Sequence, residues 1–182
     1  MNIEKILDSK LNNDEIISVF CNPEDNYGSV VGFLASLDET HFVLKHVTVN
    51  GRYDGYVLRC KDQIFRIDEK TSYEISLQKL YKHYGENHIN FDINGPLLTG
   101  FLNFAKKNDF IVGIGVKDYE YSSIIGFVKS TNETEKTVMI RQVNNDGIFD
   151  GYSTVSFDSI VRMSCDCEKD HTIKILNSLN KN

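Results

Sequence analysis

VVGFLASLDET (residues 30–40) can be written above IIGFVKSTNET (residues 124–134) without a gap. Gly32-Phe33 then falls on Gly126-Phe127, Ser36 on Ser130 and Glu39-Thr40 on Glu133-Thr134, at an offset of 94 residues. Further along, NGRYDGYVLRCKDQIFRI (50–67) falls on DGIFDGYSTVSFDSIVRM (146–163). The offset there is 96, so the second copy gains two residues between the blocks, which places the insertion in a loop. The flanks correspond as well: Asn13-Asp14 precedes IISVF as Asn108-Asp109 precedes FIVGIGV, and SLQKLYKHY corresponds to HTIKILNSL. Chance matches of single residues are common. An ordered series of this length identifies a tandem duplication.

One copy reads as a small, mostly β unit. IEKILDSKL places Ile3, Ile6, Leu7 and Leu11 at spacings of three and four, which predicts an amphipathic helix. Its counterpart PLLTGFLNFAKK begins with Pro96, a residue suited to a first helical turn. EIISVF, SVVGFLASL (after the polar loop NPEDNYG, 22–28) and HFVLKHVTV read as strands. Asn50-Gly51 and Asp146-Gly147 supply the positive φ of a tight hairpin. Gly55 and Gly151 interrupt the next strand pattern, where a glycine marks a bulge or bend. GYVLRC, a turn at Lys61-Asp62 and QIFRI complete five strands, and a helix from Tyr73 to Tyr84 closes the unit with Leu77, Leu80, Tyr81 and Tyr84 on its apolar side. The expected organisation is a first unit over 1–86, a linker over 87–94 with Ile89 and Phe91 buried, and a second unit over 95–182.

Five short, bent strands bury little area as a flat sheet, whereas closure removes exposed edges and encloses a core. The expectation is mainly β with flanking helices: two tandem small β-barrels of SH3-like size, each with an N-terminal and a C-terminal helix. The order helix then five strands, with a glycine in strand two and an acid soon after (VxGFLxSLDET), resembles the Sm-like (LSM-type) small β-barrel family. RNA-binding members of that family carry an asparagine just before the third strand, where this chain has His41, with Glu135-Lys136 near the same place in copy two. Their second motif, a turn before the last strand, is here Lys61-Asp62-Gln63 and Phe157-Asp158-Ser159. The resemblance thus implies the barrel and not the RNA pocket. The blocks GxYDGYxxxxxDxIxRI also resemble small bacterial proteins that carry no assigned activity.

Composition narrows the function classes. The 182 residues carry a formal charge of −6, and the longest basic cluster is Lys106-Lys107. A nucleic-acid binder needs a concentrated cationic face, so charge disfavours RNA as a partner. No apolar run approaches the roughly 18 residues of a membrane span, and MNIEKILDSKLNN lacks the apolar stretch of a signal peptide, so the expected location is cytoplasmic. There Cys21, Cys60, Cys165 and Cys167 are expected to be reduced.

Three clusters are candidate sites. Tyr53, Asp54 and Tyr56 recur as Phe149, Asp150 and Tyr152, and an aromatic-acid-aromatic set on a barrel rim suits a peptide or a stacked base. Turn chemistry alone also accounts for Asp54 and Gly55. Arg66 and Arg162 recur four residues after Asp62 and Asp158; each arginine is a candidate partner anchor, or one half of a local ion pair bridging a turn and the next strand. Cys165, Cys167 and His171 hold soft ligand atoms, but Cys-x-Cys is tighter than usual zinc spacing and alternate strand positions share a face, so packed thiols explain the pair equally. No nucleophile-base arrangement or phosphate loop is present, and Val112-Gly113-Ile114-Gly115 lacks the following helix such a loop needs. The expectation is a non-catalytic interaction module, binding a protein partner or copies of itself, with no cofactor and no bound metal; an RNA-binding Sm-like protein and a metal-dependent enzyme are the alternatives.

Overall fold

The computed structural model describes residues 3–11, 13–21, 28–85, 88–93, 95–117 and 123–180. The polar loop expected over 22–28 (apart from Gly28) and part of the expected linker lie outside them. The chain divides into two compact units, Met1–Phe91 and Asp92–Asn182. The first contains α1 (Ile3–Lys10), β1 (Ile16–Phe20), β2 (Ser29–Leu37), β3 (His41–Val47), β4 (Tyr53–Cys60), β5 (Arg66–Glu69) and α2 (Ser72–Tyr84). The second contains α3 (Leu97–Lys107), β6 (Ile111–Val116), β7 (Ser123–Asn132), β8 (Thr137–Val143), β9 (Phe149–Ser156), β10 (Ile160–Cys165) and α4 (Glu168–Leu179).

Within the first unit the strands run β5-β1-β2-β3-β4, and within the second β10-β6-β7-β8-β9, all neighbours antiparallel. β4 is not hydrogen-bonded to β5, nor β9 to β10, so each unit holds an open sheet rather than the expected closed barrel. The closing strands pair on one side only within each unit, β5 along β1 and β10 along β6, and the path of the sheet does not bring the fourth strand to them.

The registers repeat position for position. Ile17 faces Gly32 and Val112 faces Gly126. β2 takes one extra residue between Leu34 and Ser36, and β7 takes one between Val128 and Ser130. Lys45 faces Tyr56 while Val47 faces Tyr53, so Asp54-Gly55 hold an extra residue against β3; Arg141, Val143, Tyr152 and Phe149 repeat this bulge. Gly55 and Gly151 take φ of 79° and 88° there, which a side chain would resist. The two-residue insertion falls in the β7–β8 hairpin. A 3-10 turn (Lys61–Gln63, and Phe157–Ser159 in the second unit) joins the fourth and fifth strands.

The central strands β1 and β6 read as near-continuous apolar runs because both of their faces are covered. On one face of the first sheet Ile17, Val19, Val30, Leu34, Phe42 and Leu44 pack with Leu7 of α1. On the other, Ile16, Val31, Phe33 and Val47 meet Leu77 and Tyr81 of α2. The second unit repeats the latter layer with Ile111, Ile125, Phe127, Val143 and Ile173 of α4. Gly32 lies where the bent β2 crosses β3: an added Cβ would stand 2.0 Å from the Lys45 carbonyl oxygen, and at Gly126 2.2 Å from that of Arg141.

Candidate functional site

Of the residues singled out by the repeat, the structure brings Tyr53 and Tyr56 together and sends Arg66 elsewhere. The Tyr53 and Tyr56 rings meet edge-on at 5.8 Å, because the bulge at Asp54-Gly55 returns both to one face of β4. Asp54 turns to His46, with Oδ2 3.3 Å from Nδ1. Residues 88–91 then lie over the pair. The Tyr56 hydroxyl donates to the Ile89 carbonyl at 2.8 Å, the Phe91 ring sits 5.2 Å from the Tyr56 ring, and the His88 ring 5.3 Å from Tyr53. Tyr56 is 1% exposed in consequence. The Ile89 side chain, expected buried, is 48% exposed, because this residue engages through its carbonyl.

Beside this cluster is a groove of about 310 Å³, lined in part by Asn13, Asp14, Lys45, Tyr56, His88 and Phe91. Its basic residue, Lys45, escaped sequence reasoning. The Lys45 ammonium lies 4.6 Å from the Phe33 ring centroid and 5.2 Å from that of Tyr81, with His88 Nε2 at 3.4 Å. Burial lowers its pKa, with the Asp14 charge opposing the shift. The signal available was its recurrence as Arg141, a second cation within an apolar strand at the same place in the repeat.

In the second unit the equivalent residues are open. Phe149 and Tyr152 meet edge-on at 5.3 Å, but are 47% and 57% exposed. The Arg141 guanidinium lies 5.3 Å from the Phe149 ring and 5.9 Å from the Phe127 ring, bridging the two. Asp150 is exposed on the same strand.

The arginines stand apart from these clusters. Arg66 is on β5, at the opposite edge of its sheet from β4, and its guanidinium grips Asp68 and covers the Phe20 ring at 4.5 Å. The expected pairing with Asp62 is therefore corrected: Asp68, two residues on along the same strand, shares a face with Arg66, whereas Asp62 lies back in the 3-10 turn. Arg162 is on β10, opposite β9, and its side chain runs across Gly115, where an added Cβ would meet it at 2.3 Å.

Cys165 and Cys167 carry reduced thiols. Cys165 is buried at the end of β10, and burial raises its pKa well above the usual thiol value. Cys167 occupies the N-cap of α4, with its N–H donating to Asp170 Oδ2 at 3.4 Å. This is the place Thr71 holds at α2, where the Thr71 N–H donates to Glu74 Oε2 at 3.0 Å. His171 Nε2 lies 2.9 Å from Asp166 Oδ1. Among the described residues no group of three or more His, Cys, Asp and Glu side chains is arranged to hold a metal ion. Nor is any described helix long and apolar enough to cross a membrane. Comparison with known protein families, curated proteins and solved structures finds no match to the chain.

Proposed function

We propose that the chain is a non-catalytic interaction module of Sm-like ancestry, built from two related units and acting in the cytoplasm by binding protein. The observation that carries this reading is β9. Among the described strands β9 is hydrogen-bonded along β8 alone, so its outer backbone groups face no ladder. The same strand presents Phe149 and Tyr152 largely to solvent. An open strand edge offers main-chain hydrogen bonds, and clustered exposed aromatics are the residue types that anchor protein interfaces. Supporting the Sm-like reading are the N-terminal helix, the five antiparallel strands and the bulged second strand in both units. The formal charge of −6 favours protein over RNA as the ligand class.

A photo-crosslinking residue placed at exposed Thr154 on β9, with Lys79 on α2 as the control position, tests the reading. Adducts formed at Thr154 and absent at Lys79, either with a second copy or with another protein, are expected. A protein that stays monomeric in sedimentation and forms no adduct at Thr154 refutes it.

A further inference from the structure

The two units share a register but differ in what covers it. In the first, Phe33 faces Lys45 and Lys45 faces Tyr56. In the second, Phe127 faces Arg141 and Arg141 faces Tyr152. This is the same three-residue row, apolar-cation-tyrosine, running across three strands. Over the first row lie residues 88–91, an irregular segment contributing a carbonyl to the tyrosine hydroxyl and an aromatic ring to the tyrosine face. Over the second row Tyr152 remains 57% exposed. Met139 extends this surface, since it precedes Arg141 by two residues on β8 and is exposed as well.

Resting on the interaction reading above, we infer that the Phe127–Arg141–Tyr152 row, with Phe149, binds an extended peptide segment of a partner protein carrying the pattern aliphatic-any-aromatic, the pattern of Ile89-Asn90-Phe91. The chain supplies the template for this occupant. The carbonyl of the aliphatic residue accepts from the Tyr152 hydroxyl, and the aromatic residue two positions on packs against the Tyr152 ring. Arg141 adds a preference for an acid next to the aromatic, as Asp92 follows Phe91. Its guanidinium, already lying against Phe127 and Phe149, leaves those rings little freedom to lose on binding. An exposed tyrosine with an apolar body and one hydroxyl suits such a ligand, giving contact area and one directional bond at low entropic cost. A second copy is the less suitable occupant, because its own residues 88–91 are engaged on Tyr53 and Tyr56.

The probe is the acetylated and amidated pentapeptide His-Ile-Asn-Phe-Asp, titrated into the isotopically labelled full chain and followed by amide shifts. Expected are shifts at Met139–Arg141 and Phe149–Tyr152, about tenfold weaker binding to Tyr152→Ala, and a similar loss for the peptide with alanine in place of its phenylalanine. Tyr152 is exposed, so the variant should fold, and its amide spectrum away from β8 and β9 verifies this. The inference is overturned by the absence of shifts, by shifts confined to Tyr53–Tyr56, or by equal binding to Tyr152→Ala. Self-association through this face, abolished by Tyr152→Ala, would assign the surface to a second copy. That outcome sinks the peptide inference while leaving the broader reading intact, whereas absence of peptide shifts together with absence of adducts at Thr154 in a monomeric protein sinks both.

Discussion

The Ser18 hydroxyl donates to Glu74 Oε1 at 2.6 Å, joining the middle of β1 to the first turn of α2 inside the protein. Glu74 is 3% exposed, and its other oxygen accepts from the Thr71 N–H and hydroxyl, so one carboxylate both caps the helix and docks it. Replacing Glu74 with alanine leaves the Ser18 hydroxyl buried without this acceptor and removes half of the capping box. Loss of about 2–3 kcal/mol is expected, read as a lower urea midpoint at unchanged slope. A double-mutant cycle with Ser18→Ala should show coupling of about 1 kcal/mol. Strict additivity would mean that the bond does not form.

Gly32 and Gly126 make a sharper test of the repeated bend. At each, a methyl group would collide with a backbone carbonyl on the neighbouring strand, and a backbone cannot swing aside as a side chain can. Gly32→Ala and Gly126→Ala should each cost about 3 kcal/mol or more. Gly85, the left-handed C-cap of α2, has open space around it, so Gly85→Ala should cost only about 1 kcal/mol. Thermal unfolding of the three variants orders them. Equal costs would show that close strand approach is not what selects glycine at 32 and 126.

That same glycine explains why so much of each unit was legible. Turn and bulge residues are chosen by backbone geometry, so Gly32, Gly51 and Gly55 mark their positions in the sequence whatever surrounds them. Gly51 and Gly147 take φ of 76° and 74°, and their missing side chains leave room for Leu80 of α2 and for Leu176 and Asn177 of α4. Edge pairing is different. Whether β4 meets β5 depends on the whole path of the sheet, and no local residue records it. The covering of Tyr56 by residues 88–91 was hidden for the same reason, since the hydrogen bond to Ile89 spans 33 positions and the segment has no periodicity. Lys45 was overlooked because a cation in an alternating strand reads as a solvent-facing position, whereas here the second face is covered by α2.

Lys10 sets part of the pH response. Its ammonium lies 2.5 Å from both Glu15 Oε2 and Glu69 Oε2, with its side chain almost fully buried. Burial acts to lower the Lys10 pKa, but the hydrogen bonds and charges of Glu15 and Glu69 outweigh it and hold the value above the ordinary amine. The Lys10 hydrogen bond likewise holds Glu15 below the usual carboxylate value of 4.5. A depressed carboxylate contributes stability above its unfolded pKa and loses it as pH falls through the folded one. The raised amine behaves oppositely, contributing below 10.5 and fading as pH rises through its folded value. Lys10→Met should therefore be less stable than the parent at neutral pH, with the difference shrinking once pH drops below about 4.5. Urea midpoints from neutral to acid pH measure it, and a constant difference would exclude the pairing.

Cys167 offers a stabilising substitution that the duplication itself suggests. At the corresponding cap of α2, the Thr71 hydroxyl accepts from the Tyr73 N–H at 3.2 Å, a bond that a thiol makes poorly. Cys167→Thr keeps the extended backbone of the cap (φ −77°, ψ 158°), which matches that of Thr71 (φ −73°, ψ 169°), and restores an oxygen acceptor. A gain of about 1 kcal/mol is expected, visible as a higher thermal midpoint. The same variant removes one thiol from the group Cys165, Cys167 and His171. Were those three side chains holding a metal ion, the substitution would lower stability, and a chelator would lower that of the parent alone. The sign of the shift thus separates a helix cap from a ligand.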